Sequence, residues 1–92
     1  MLKADGFDKA IIGMCMDIAT GGERLIYDAN KCIDILIKQG MSEQEAIEYF
    51  EFNVVGAWMG PKTPVFMHEI PNFMTTDDFL EELGFVKPAN DN

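Results

Sequence analysis

Basic residues, histidine and cysteine are scarce in this 92-residue chain, and each shortage closes off a class of function. Seven lysines and arginines stand against sixteen aspartates and glutamates, a formal net charge of -9. Nucleic acids and anionic membranes need a basic patch for phosphate neutralisation and counterion release, so direct contact with either is not expected. The one histidine, His68, has no ligating neighbour in sequence, and Cys15 and Cys32 form no Cys-x-x-Cys pair. A zinc site needs three or four nitrogen or sulfur ligands, which a monomer of this chain could reach only by unusual carboxylate use, so neither a metal nor another cofactor is expected. Both cysteines read as small buried hydrophobes of a reducing compartment. A Cys15–His68 nucleophile pair is the competing reading, but Cys15 lies between two methionines on an expected strand, and no catalytic residue is assigned.

Long apolar runs are also missing. The longest candidate, Ala10 to Met16, is interrupted by Gly13 and stops at Asp17, well short of the roughly 18 to 20 residues that cross a bilayer. The opening Met-Leu-Lys-Ala-Asp-Gly has no basic-then-apolar leader, so a cytoplasmic protein is expected. No Gly-Lys-Ser/Thr follows any glycine pair, which removes a phosphate-binding loop, and no calcium-loop spacing occurs.

What is present suits one folded domain. Hydrophobic residues make up 48% and charged residues 25%, close to the average for globular proteins. The length leaves no room for a second core. Residues 1–86 are expected to form the domain, with 87–92 fraying for lack of periodicity.

Punctuation along the chain suggests the elements. Gly21-Gly22 supplies a hairpin turn between apolar flanks, giving two antiparallel strands within residues 10–28, with a bulge or close packing at Gly13. A helix over residues 8–19 competes, because Ala10, Met14 and Asp17 also fit helical spacing. Asp28 is an N-cap for a helix whose Ala29, Cys32, Ile33 and Leu36 share one face and which stops at Gly40. Ser42 and Glu45 form a capping box for a second helix, read as running to Gly60-Pro61. Its apolar residues occupy two adjoining faces, Ala46, Ile47, Phe50, Val54, Ala57 and Trp58 on one and Tyr49, Phe52, Val55 and Met59 on the other, which predicts a central position. Thr63 to Met67 reads as an edge strand, and Thr76 caps a short helix with Phe79, Leu80 and Leu83 facing inward.

Two features bear on function. Glu45, Glu48 and Glu51 form an acidic row on the second helix, and Asp77, Asp78, Glu81 and Glu82 form a second cluster near the end. Such rows are either a solvated face that keeps the domain dispersed or an interface for lysine and arginine of a partner. The aromatic-rich middle third offers more apolar surface than a monomer of this size hides, which leaves a homodimer or a partner groove open. Trp58 and Met59, beside the Gly60-Pro61 break, are the expected apolar anchors by residue type and position.

Asp5-Gly-Phe-Asp8, Lys31-Cys-Ile-Asp-Ile-Leu36, Gly40-Met-Ser-Glu-Gln-Glu-Ala46 and Phe52-Asn-Val-Val-Gly-Ala57 carry a resemblance. Over residues 5–67 the chain resembles a family of small uncharacterised bacteriophage proteins. That likeness implies a phage or prophage setting, hence the cytoplasm of a bacterial host, and brings no site residues with it.

The expected fold is therefore α+β: a three-stranded antiparallel sheet packed on a helical hairpin, with a short C-terminal helix. The expected function is non-enzymatic: an acidic accessory protein that binds and modulates, by inhibition, a host or defence protein with a basic surface of the kind that binds nucleic acid. The alternative is a small enzyme or ligand-binding domain with a pocket between sheet and helices, using Tyr27, Asp28 or Asn53.

Overall fold

Gly21 adopts a φ of 77°, a left-handed conformation that glycine enters without steric penalty, and the chain reverses there into a hairpin. Strand β1 (Ile11–Asp17) pairs antiparallel with β2 (Gly22–Asp28), after a single 3-10 turn at Asp8–Ala10. The register slips between Ile11 and Gly13, so the bulge expected at Gly13 is present and the helical alternative is not. The computed structural model describes residues 2–19, 21–57 and 59–85.

Helix α1 (Ala29–Lys38) starts where β2 ends, with the Asp28 carboxylate accepting from the Lys31 N–H at 3.1 Å. Ala29, Cys32 and Leu36 are buried along one side, and Ile33 packs beside them. Gly40, at a φ of 109°, closes the helix. Helix α2 (Glu43–Tyr49) then opens on the expected capping box, Ser42 and Glu45 each accepting from the other's N–H.

The second helix departs from expectation at its middle. From Phe50 to Val55 it widens into a π-helix, and the Gly56 N–H donates to the Glu51 carbonyl five residues back at 3.2 Å. Ala46, Phe50 and Val54 lie on the core side, while Tyr49, Phe52 and Val55 are exposed, and so is Ile47, which its spacing places with the covered face. The helix thus has one covered face and is not central. It ends at Gly56 instead of reaching Gly60-Pro61.

The sheet is mixed, in the order β1-β2-β3, because β3 (Val65–Met67) runs parallel to β2. This corrects the all-antiparallel expectation, and the reason is a long-range bond. The Arg24 Nε donates to the Thr63 carbonyl at 2.6 Å, bringing the entry to β3 beside the start of β2. The helices supply the crossover that parallel strands require. Tyr27 and Phe66 then lie side by side with ring centroids 5.5 Å apart, and Phe50 meets Phe66 edge-on at 5.3 Å. These aromatics join sheet and helices in one core with Phe7, Ala10, Cys32 and Leu36.

Helix α3 (Thr76–Glu82) is capped by Thr75, not Thr76, in a capping box with Asp78. It contains no buried residue. Phe79 is half-buried, but Leu80 and Leu83 are exposed, so the inward face expected of this helix is largely uncovered. Its short length, and a preceding segment without helix or strand from 68 to 75, leave it outside the layer formed by the sheet and the first two helices. The radius of gyration is 15.6 Å, against about 12 Å for a close-packed chain of this length. The expected fray at 87–92 lies outside the described residues.

Thr63 is buried and closes the loop before β3: it accepts from the Met59 N–H at 2.8 Å and donates to the Gly60 carbonyl at 2.6 Å. Thr63→Val should strand that N–H and lower stability by about 1–3 kcal/mol in urea unfolding. Burial, reinforced by the nearby Asp28 carboxylate, pushes the Cys32 thiol up to about 11. The unfolded chain therefore ionises there first, and stability should fall as pH rises from about 8.5 toward 11. Cys32→Ala should flatten that alkaline limb in melts taken across the range.

Candidate functional site

The acidic row on α2 borders an apolar groove. Met41, Glu45, Glu48, Tyr49, Phe52 and Asn53 line a shallow depression of about 370 Å³. Phe52 is 80% exposed at its rim, two positions after the buried Phe50 and so on the opposite side of the helix. The Ser42 N–H, with a smaller share from its hydroxyl, holds the Glu45 carboxyl below its ordinary value, so this end of the groove stays negatively charged into mildly acidic solution. Glu51 is exposed but does not line this groove.

A second depression repeats the combination at α3. Phe73, Met74, Asp78, Glu81 and Glu82 surround about 470 Å³ of open space, and Phe73 is 85% exposed. Asp77 is exposed on the same helix without lining that depression. Sequence reasoning identified the carboxylates of both places and missed both phenylalanines. A signal existed for Phe52, which follows Glu51 on a helix with two apolar faces. None existed for Phe73, which lies in a segment without periodicity.

The expected apolar anchors are divided. Trp58 lies outside the described residues. Met59 is half-exposed and lines a different cleft of about 340 Å³, together with Lys3, Asp5, Tyr49 and Asn53. Asn53 thus reaches a concave surface, as the ligand-pocket alternative requires, but Tyr27 and Asp28 do not join it. The Tyr27 hydroxyl accepts from the Ala4 N–H at 2.8 Å, and Asp28 caps α1. Lys3 also borders a neighbouring cleft of about 500 Å³ with Lys9 and Lys38, where its ammonium pairs with Asp8 at 3.2 Å.

Cys32 is fully buried, Cys15 is half-buried instead of buried as expected, and His68 is exposed. Among the described residues no three His, Cys, Asp or Glu side chains converge as a metal site would need. No buried side-chain polar atom lacks a partner there. No helix among them is long and apolar enough to cross a membrane. Compared with protein-family models, curated proteins and solved structures, the chain matches none.

The two phenylalanines flanking the π turn's start make a direct check of this geometry. Phe50, 1% exposed, should cost about 3–5 kcal/mol when changed to alanine. Phe52→Ala should stay within about 0.5 kcal/mol of the parent, as surface changes do. Urea titrations of the two variants measure both.

Proposed function

We propose that this protein is an acidic, non-enzymatic interaction module that binds and modulates a host or defence protein through that partner's basic surface, in a phage or prophage setting. The supporting observation is the pairing of exposed phenylalanine with carboxylates at two separate places: Phe52 beside Glu45 and Glu48, and Phe73 beside Asp78, Glu81 and Glu82. Exposed aromatics supply the desolvated centre that holds a complex together, while surrounding charges choose the partner and speed its approach. A basic amphipathic segment offers the complementary pattern, an apolar face edged by lysine or arginine. Phe52 is the exposed aromatic on the α2 groove, while Met59 lines a different cleft.

The phage setting rests on the resemblance described above, and the partner's identity is to be found by capture from host lysate. The charge pattern sets how the captured complex should behave. Reversing Glu45 and Glu48 to lysine should slow association about tenfold or more at low salt and flatten its salt dependence. Phe52→Ala should leave association nearly unchanged and speed dissociation. Surface plasmon resonance of both variants separates the effects; an association rate indifferent to the reversals would show that this acidic row only keeps the protein dispersed.

A further inference from the structure

Strand β1 is an outer strand of the sheet, with β2 on one side and, among the described residues, no strand on the other. Edge strands are normally blunted by lysine, proline or inward charge against pairing with another chain. Residues 10–16, Ala-Ile-Ile-Gly-Met-Cys-Met, contain none of these. The bulge at Ile11/Gly13 irregularises only the first residues, leaving Gly13–Asp17 as a regular edge.

The same stretch is nearly symmetric about Cys15, with Met14 and Met16 beside it and Ile12 and Ile18 at its ends; Gly13 opposite Asp17 is the mismatch. Its apolar members are left in water, with Met16 71% and Ile18 95% exposed and Ile12 and Met14 close to half. An antiparallel partner of identical sequence, centred on Cys15, would set Met14 against Met16, Ile12 beside Ile18, and Asp17 against Gly13. Each apolar side chain meets another, and the carboxylate faces a glycine instead of its own copy. Asp17 also keeps its ion pair with Arg24, 3.0 Å long.

We infer that the β1 edge pairs with the β1 edge of a second copy of this chain, joining two sheets into one of six strands across a two-fold axis at Cys15. Charge favours a second copy over the basic partner proposed above. In a chain of net charge -9, contact between copies through either acidic cluster would oppose like charges. The β1 edge carries no charge from Ala10 to Met16, and its one carboxylate, Asp17, is paired with Arg24, so little there repels a copy or attracts a basic segment. A continuous edge of five residues is only about 17 Å long, which places the dimer in the micromolar range instead of among obligate assemblies. This surface lies on a different element from the α2 groove, and the inference stands whether or not that groove binds a partner.

Sedimentation equilibrium on the full chain, from about 5 to 300 µM, should show twice the monomer mass at the upper end. Directly opposed strand residues have Cα atoms about 4.5–5.5 Å apart, within the span a disulfide bridges. Diamide should therefore link two copies through Cys15, taking up the two thiol hydrogens as it is reduced. Cys15→Ser should abolish the link and leave the dimer, whereas Cys32→Ser should change neither. Met16→Lys should weaken the dimer at least about tenfold with an unchanged melting curve. Ile18→Lys, in an exposed turn, gives the same test should Met16→Lys disturb the fold. A monomer throughout the range would overturn the inference, as would a dimer that diamide fails to link through Cys15 or that both lysine variants leave intact.

Discussion

The Arg24 guanidinium joins both strands of the hairpin to a segment 39 residues further along the chain. From the first half of β2 it reaches the Asp17 carboxylate at the end of β1 and the Thr63 carbonyl just before β3. Its side chain is only 18% exposed, so these charge-assisted bonds are stronger than surface pairs usually are. Because Thr63 is held there, β3 enters beside the start of β2 and runs with it, which sets Phe66 against Tyr27. Phe50 packs on Phe66 in turn, and the position of the helical layer over the sheet follows.

The helical layer has one further constraint, the π turn. At about 100° per residue, Val54 stands four positions after Phe50 and shares its face, while Phe52, two positions after Phe50, falls on the opposite side. The π turn interrupts the regular bonding along this stretch, and π segments of this kind are frequent at functional sites. At the surface the consequence is that Phe50 is buried and Phe52 is displayed beside two carboxylates.

Local features were legible in the sequence because their causes are local. The Gly21-Gly22 turn, the bulge at Gly13, the Asp28 cap and the Ser42–Glu45 box all depend on residues within a few positions of one another. The box at α3 was equally local: Thr75 and Asp78 stand at the correct spacing, and reading Thr76 as the cap overlooked it. The direction of β3 was not legible, since it depends on Arg24 meeting a carbonyl 39 residues away. The two faces of the second helix were legible, with Phe50 and Phe52 on different ones, but the π turn and the exposure of the second face were not, because apolar periodicity registers neither. The acidic residues of the candidate surface could be read from sequence, and the phenylalanines beside them could not.

The molecule measures 47 × 36 × 20 Å, and the shortest dimension is that of two layers, a sheet and the helices upon it. With so little depth, most backbone amides have a single layer of side chains between them and water. Protection from hydrogen exchange should then grade along the plate instead of dividing into shell and centre. The slowest amides belong where β2, α1 and the start of the π turn meet around Tyr27, Cys32 and Phe50, and α3 opens and closes largely by itself. A chain built this way can rearrange its periphery to fit another molecule while the meeting point of those three elements remains closed.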